Sequence, residues 1–564
     1  MDFFFFRSTF VIENSSMYPK KELAQIIISA CRQFQIETVV ISPGSRNAPL
    51  TIGFTNDTDF DTISIVDERC AAFFALGIAQ QRQKPVAIVC TSGSALLNYY
   101  PAVAEAYYSQ IPLVVISADR PRHLIDIGDG QTIRQENVFT NHILYSANLE
   151  ENQTEMNFQL LTEAFSMLTQ VKGPIHINAP FDEPLYETTN EIKEFSFKVD
   201  QQIQMDNVDY TSLANQWNSA KKKMILVGVH YPDKELENLL DKVADDPSVL
   251  VLTETTSNLH NKRFINSIDN LIFNLSDEEF RSLQPDILLT FGGLIVSKKI
   301  KRFLRDYKPR EHWHVNELRA FDTYFALTKH IKIDSKTFFT HFSKLTNYRN
   351  GSDYESKWIA YRDHTNKKHK EYLEKAKYSD LKVFESILDS LPESSEVQFS
   401  NSAIIRYSQL FKMKDSVVVF CNRGTSGIDG STSTAIGAAY AANKQITLIT
   451  GDLSFFYDSN ALWNSHIPKN FRIIVVNNSG GGIFKIIPGP NTTDSIEYFE
   501  APHNLTAEHL CAMYGFKYEK VKNLKSLKEN LDTFYQDEQP KLLEVFTPSD
   551  ENDKVLKQYI NHLH

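Results

Sequence analysis

The sequence predicts an α/β protein of three consecutive domains, each built on a mostly parallel sheet. Three observations carry this. Short β-branched runs such as ETVVIS (37–42), PVAIVC (85–90) and PLVVISA (112–118) read as buried strands. They alternate with segments of helical periodicity, the pattern of βαβ units. At 564 residues, the chain is long enough for about three domains of 100–200 residues.

In order along the chain, residues 20–35 are expected to form a helix, with Leu23, Ile26, Ile27 and Ala30 on one face. The run 37–42 ends in Pro43-Gly44, a strand meeting a turn. A strand at 62–66, a helix at 67–82 and the small-residue turn TSGS (91–94) leading into a helix follow. The first domain closes near PIHINAP (174–180), and the charged stretch 190–205 reads as a linker. The strands MILVGV (224–229), VLVLTE (249–254) and DILLTFGG (286–293) mark a second domain. Residues 344–378, rich in Lys, Tyr, Asn and Asp, read as a helical linker. SVVVFCN (416–422), ITLITGD (446–452), RIIVVNN (472–478) and KLLEVF (541–546) mark the third domain, which resembles the first in layout. Between them, STSTAIGAAYAA (431–442) is a small-residue helix suited to close packing on a sheet. The resulting division is 1–190, 200–345, a linker at 346–380, and 381–564.

Composition excludes several classes. The formal net charge of -11 argues against a nucleic-acid surface. An anionic substrate would therefore need a local Arg/Lys cluster. The five cysteines are scattered and form no CxxC pair, which argues against structural zinc or a disulfide framework and fits a reducing cytoplasm. No apolar stretch is long enough to span a membrane. The opening MDFFFFRSTF has neither a basic n-region nor a cleavage site, so residues 1–16 are expected to be a dispensable extension ahead of Met17.

The sharpest chemical signal lies in the third domain. Gly451-Asp452 ends one strand and Asn477-Asn478 ends another, with 25 residues between Asp452 and Asn478. Ligands of open α/β sheets bind at the carboxyl ends of strands. A carboxylate and an amide oxygen there suit Mg²⁺, a hard ion that takes oxygen ligands. Gly480, Gly481 and Gly482 let a backbone carbonyl reach the metal and N–H groups reach a diphosphate. No GK[ST] follows, so a P-loop is excluded. Either dipeptide alone is an ordinary turn, but the pair at this spacing resembles the thiamine-diphosphate signature. Leu453 departs from its usual GDG form. Such enzymes need a carboxylate against N1′ of the aminopyrimidine, and Glu68, where a strand meets a helix, is the candidate. A plain helix-dipole role, open to Asp67 as well, is the alternative. Arg46, Arg120, Arg134, Arg406 and Arg423 lie near strand ends beside Gly or Pro and suggest a polycarboxylate substrate. Ile428, in the turn SGIDG, is a candidate wedge between the cofactor rings. His123, His142 and His176 are isolated and receive no role.

Taken together, SPGSRNAPL (42–50), DERCAAFFALG (67–77), TSGSALLN (91–98), SADRP (117–121), GDGQTIRQ (128–135), NRGTSGIDGSTSTAIG (422–437), GDLSFFYDSNAL (451–462) and VVNNSGGGIF (475–484) resemble one family from about residue 20 onward. It is the 2-succinyl-5-enolpyruvyl-6-hydroxy-3-cyclohexene-1-carboxylate synthase family of menaquinone biosynthesis. The resemblance includes GDL, so Leu453 looks like a family trait. It implies a thiamine-diphosphate-binding fold with pyrimidine-binding, central and diphosphate-binding domains. It also implies a transferase that decarboxylates 2-oxoglutarate and adds the resulting succinyl-semialdehyde unit in a 1,4 sense to isochorismate. Glu68 matches the cofactor-activating glutamate. Ser92, Ile428, Gly451, Leu453, Ser454, Ile483 and Phe484 match positions around the cofactor. Asp452, Asn478 and the Gly480 carbonyl match the Mg²⁺ ligands, and manganese can replace magnesium because both accept oxygen ligands. Ser45, Arg46, Arg120, Gln131, Asn401, Ser402, Arg406 and Arg423 match the substrate pocket. Lys298 and Lys299 fall where the central domain reaches into it. The cofactor of relatives spans two subunits, which implies a homo-oligomer, dimer or tetramer, with active sites at the subunit interface.

Rival readings fare worse. Acetohydroxyacid synthases and oxo-acid decarboxylases prefer small uncharged acceptors or none, against the arginine set. A non-catalytic homologue is expected to lack Glu68, Asp452 or Asn478. An NAD-dependent oxidoreductase needs a G-x-G-x-x-G after a strand, which is absent.

Overall fold

The structure, a computed structural model, describes residues 17–193, 195–197, 208–486, 489–492 and 494–563. The expected extension 1–16, and residues 194 and 198–205 of the expected first linker, lie outside the described residues. The chain divides into two compact units. The first comprises the described residues up to Ala79, Gln83–Val103 and those from Gln110 to Phe197. The second comprises Gln80–Arg82, Ala104–Ser109 and the described residues from Val208.

The first unit holds a six-stranded sheet of β1 (Thr38–Ile41), β2 (Asp61–Ser64), β3 (Val86–Cys90), β4 (Leu113–Asp119), β5 (Ser146–Asn148) and β6 (Ile175–Pro180), in the order β2-β1-β3-β4-β6-β5. Every pairing is parallel. β1, β3 and β4 are buried along their whole length, as strands covered on both faces must be. Helix α1 (Glu22–Gln33) buries Leu23, Ile26, Ile27 and Ala30. Burying a Leu or Ile side chain is worth about 1.5–3 kcal/mol. Helix α2 (Glu68–Arg82) is capped by Asp67, whose carboxylate accepts the Cys70 N–H at 3.1 Å. Helix α3 (Ala95–Ser109) leaves the 91–94 turn.

The second unit contains two more parallel sheets. One has β7 (Lys223–Val227), β8 (Val249–Thr253), β9 (Ile287–Phe291), β10 (Glu311–Val315) and β11 (Leu327–Ile331), in the order β8-β7-β9-β10-β11. Helix α4 (Lys298–Asp306) follows β9. The expected helical linker contains helix α5 (Tyr354–Leu373), but it is more than a connector: Tyr354 and Trp358 are buried in the core beside β7–β9.

The other sheet has β12 (Glu396–Phe399), β13 (Val418–Cys421), β14 (Ile446–Gly451), β15 (Arg472–Asn477), β16 (Lys517–Val521) and β17 (Lys541–Phe546), in the order β13-β12-β14-β15-β17-β16. Counted from its own first strand, this is the order of the first sheet, so the predicted likeness of first and third domains is a shared topology. Helices α6 (Asp380–Ser390), α7 (Ala403–Ser408), α8 (Ser431–Ala441) and α9 (Asp452–Tyr457) accompany it. Nearly all of α8 is buried, as its small residues predict.

Candidate active site

In the first unit, the candidate residues follow the carboxyl ends of β1, β2, β3 and β4. Glu68 opens α2, half-buried, and its carboxyl is raised from its ordinary value by burial and then by the neighbouring Asp67 charge. Its charge also reaches the buried Cys90 thiol and the Tyr99 hydroxyl, which sit at the ends of β3 and β1. Ser92, two residues past β3, is buried with no hydrogen-bond partner for Oγ. An unmatched buried hydroxyl costs about 1–3 kcal/mol and calls for a ligand group.

Arg46 is buried at 3% exposure, and its guanidinium donates to the Phe181 carbonyl at 2.8 Å. Burial, and then the Arg120 charge, lower its pKa, while Glu183, Asp182 and Asp129 act in the opposite sense; Arg46 faces Glu183 at 3.3 Å and Arg120 faces Asp129 at 3.8 Å. Nε of both is buried without a partner. Arg120 donates to the Gly130 carbonyl at 3.2 Å, which ties it to the loop that carries Gln131. Ser45 and Gln131 are exposed, and Gln131 adopts a left-handed φ of 56°. Arg134 does not join them: it is 83% exposed and pairs with Asp126 at 2.8 Å. His176 proves structural, buried against Ser117 Oγ at 2.7 Å.

In the second unit, the candidates sit at the carboxyl ends of β12, β13, β14 and β15. Asp452, 2% exposed, accepts the Leu453 N–H on Oδ1 at 2.7 Å and the Gly480 N–H on Oδ2 at 3.0 Å. Asn478 donates through Nδ2 to Asp380 Oδ2 at 3.0 Å, while its Oδ1 is buried with no partner. Gly480 has φ of 144°, and a Cβ there would stand 2.6 Å from the Glu500 carbonyl oxygen. The Gly480 carbonyl accepts the Gly482 N–H at 3.0 Å, which leaves its second lone pair for another ligand. A cavity of about 220 Å³ opens on Asn478, the three glycines and His503. These features fit a hard cation and a diphosphate. Among the described residues no three His, Cys, Asp or Glu side chains cluster as a metal centre. A metal here would therefore complete its shell with phosphate and water oxygens.

The turn after β13 carries Arg423 and Ile428. Asn401, just past β12, is almost fully buried and holds this turn: Nδ2 donates to the Asn422 and Gly427 carbonyls at 2.7 Å, and Oδ1 accepts from Arg423 at 2.6 Å. Ser454 Oγ donates to the Ile428 carbonyl at 2.7 Å, so α9 and the turn are joined. The Ile428 side chain itself is 36% exposed. Ser402 makes the sharp bend into α7 with φ of 69°. Arg406 on α7 is half-buried. Its pKa is lowered by burial and then by Arg423, with Asp269 acting in the opposite sense. Arg406, Lys298 and Lys299 border a cavity of about 370 Å³ whose apolar wall includes Phe273, Leu410 and Ile483. Phe484, on the short helix Ile483–Ile486, packs its ring 5.6 Å from Phe499.

Sequence reasoning missed four contributors. Lys301 lies one turn beyond Lys298 on α4, half-buried, with the Glu254, Arg423 and Arg406 charges acting on it. Its spacing in SKKIK was the only signal. Glu105 in α3, buried, accepts the Gly424 and Thr425 N–H groups at 2.7 and 2.6 Å and so anchors the Arg423 turn. His503 stands 3.4 Å from Asp452 Oδ2. Asp380 is the fourth. None of the last three had a local motif to reveal it.

Two parallel-sheet domains of identical topology, each with polar candidate residues at its strand ends, are the frame of a thiamine-dependent enzyme. The comparisons agree. Residues 21–143 match the family model "Thiamine pyrophosphate enzyme, N-terminal TPP binding domain". Residues 190–398 match "Middle domain of thiamine pyrophosphate", and residues 403–545 match "Thiamine pyrophosphate enzyme, C-terminal TPP binding domain". The chain is 55% identical over 559 residues to the 2-succinyl-5-enolpyruvyl-6-hydroxy-3-cyclohexene-1-carboxylate synthase of Flavobacterium johnsoniae, covering 97% of this chain and 100% of that protein. Enzymes of the same name from Christiangramia forsetii and Bacteroides fragilis are 51% and 38% identical, each over 97% of this chain and 99% and 100% of their own lengths. The chain belongs to the 2-succinyl-5-enolpyruvyl-6-hydroxy-3-cyclohexene-1-carboxylate synthase family. No helix among the described residues is long and apolar enough to cross a membrane.

Proposed function

We propose that the chain catalyses decarboxylation of 2-oxoglutarate and 1,4-addition of the resulting succinyl-semialdehyde unit to isochorismate. The product is 2-succinyl-5-enolpyruvyl-6-hydroxy-3-cyclohexene-1-carboxylate, in menaquinone biosynthesis. The observation that carries this reading is the 55% identity to a synthase of that name over 97% of the chain. The geometry supports it from the side of chemistry.

Bound thiamine diphosphate supplies an acidic thiazolium carbon at which a 2-oxo acid can lose carbon dioxide. Asp452, Asn478 and the Gly480 carbonyl would hold Mg²⁺, or Mn²⁺ in its place, against the diphosphate. Glu68 would share a proton with N1′ of the aminopyrimidine, and its raised pKa suits a proton-sharing carboxyl. Ser92, Ile428, Ser454 and Ile483 would line the cofactor, with Gly451, Leu453 and Phe484 beside them. Arg406 and Arg423, with Lys298 and Lys299, would bind carboxylates through charge-assisted bonds. Arg46 and Arg120, in the first unit, would bind carboxylates of the same substrates in the same way.

The domain division that goes with this reading is pyrimidine-binding 1–190, central 200–345, a linker at 346–380 and diphosphate-binding 381–564. A cytoplasmic homo-oligomer, dimer or tetramer, with Glu68 of one subunit serving Asp452 of another, completes it. The test is omission. Purified protein with thiamine diphosphate, Mg²⁺, 2-oxoglutarate and isochorismate should consume isochorismate and yield the product by mass, and should do so only when all four are present. Turnover with another 2-oxo acid in preference to 2-oxoglutarate would replace the donor.

A further inference from the structure

We infer that Asp380 is a positioning residue that sets which end of the Asn478 amide faces the metal. This rests on the reading of Asp452 and Asn478 as cation ligands and adds a residue to it. An asparagine amide can point either its oxygen or its NH2 at a site, and only the oxygen can ligate a cation. Asp380, at the start of α6 and 3% exposed, meets Asn478 Nδ2 with Oδ2 at 3.0 Å. Because Oδ2 accepts from the Asn478 NH2 group, the NH2 end of the amide is held toward Asp380 and the oxygen end away from it. The consequence is visible at the other end of the amide, where the buried Oδ1 has no hydrogen-bond partner.

The carboxylate is itself fixed. Its Oδ1 accepts from Thr547 Oγ1 at 2.5 Å, and the Asp380 N–H donates to Asn552 Oδ1 at 2.9 Å. Asn552 in turn donates to Thr547 Oγ1 at 3.2 Å, which closes a buried ring of polar groups. Partners behind a ligand of this kind typically change metal affinity about 10–100-fold when removed.

The test is Mn²⁺ binding, followed by loss of the free-ion electron paramagnetic resonance signal with thiamine diphosphate at saturation. Asp380→Asn should raise the Mn²⁺ dissociation constant about 10–100-fold. Thr547→Val, which removes the hydrogen bond that fixes Asp380 Oδ1, should raise it by a smaller factor. The Thr547 variant also covers the case in which Asp380→Asn does not fold. Wild-type affinity in a folded Asp380→Asn protein, or in Thr547→Val alone if the first is unfolded, overturns the inference. Failure of the unmodified protein to bind Mn²⁺ at all overturns the metal reading beneath it instead.

Discussion

The Gly480 N–H donates to Asp452 Oδ2 at 3.0 Å, so the two halves of the strand-end signature are bonded to each other. They sit on adjacent parallel strands, with Gly451 in register with Val476. The bond requires the extended left-handed backbone of Gly480. Gly480→Ala should therefore strain the turn by about 1–3 kcal/mol, drive its Cβ into the Glu500 carbonyl and weaken Mn²⁺ binding. Denaturant melts and the Mn²⁺ titration check this together. An alanine variant equal to wild type in both would show that the turn is not constrained.

Glu68 predicts opposite effects on activity and stability. Burial raises its pKa above the ordinary 4.5, so ionising it opposes folding. That penalty is absent at low pH, develops as pH rises above 4.5 and is complete once pH passes the raised folded value. Glu68→Gln removes it, so the variant should melt higher than wild type at pH 7–8, with the difference vanishing below about pH 4. Its kcat should fall at least 100-fold or so, the scale of general acid–base catalysis. A variant that melts lower at neutral pH contradicts the desolvation account. One that keeps its kcat contradicts the catalytic role.

The basic cluster predicts a binding defect. Charge-assisted hydrogen bonds contribute about 1.5–3 kcal/mol, and each 1.4 kcal/mol is tenfold. Arg406→Ala or Arg423→Ala should raise the KM of one carboxylate substrate about 10–100-fold. Thiamine diphosphate affinity should stay close to wild type. Initial rates over both substrates separate the two cases, and loss of cofactor with unchanged KM would relocate the substrate site.

An active site shared between subunits, as proposed, predicts complementation. Glu68→Gln and Asp452→Ala should each be inactive. Unfolded together and refolded, or co-expressed, half the dimers should be mixed, and each mixed dimer should have one intact site. Recovery should therefore approach about one quarter of wild-type activity. No recovery from demonstrably mixed dimers would mean that both residues serve one site from one chain.

Much of the frame was legible because it is written locally. TVVI, VAIVC, ITLIT and IIVV are buried strands by composition alone, and GD and NN mark the ends of the last two. The strands that escaped notice carry polar residues whose partners lie elsewhere in the chain. β12 hides Glu396 and Gln398, and Glu396 is matched by Lys444 at 2.9 Å. β10, EHWHV, buries His312 against Thr290 of β9. The edge strands β11 and β16, LTKHI and KYEKV, are partly exposed and lack an apolar run. The site divides the same way. Ile428 and Asp452 were readable from their turns, but Asp380 lies 98 positions from Asn478 and Glu105 lies 319 from Gly424. Those pairings exist only after folding. Arg134 shows the converse, a residue with the right neighbours in sequence that folds into solvent.

The most direct test is to measure carbon dioxide released from 2-oxoglutarate against isochorismate lost in the same reaction, with thiamine diphosphate and Mg²⁺ present. A one-to-one ratio is expected, abolished by Glu68→Gln. Carbon dioxide released while isochorismate remains untouched would contradict the proposed acceptor, and no release at all would contradict the thiamine chemistry itself.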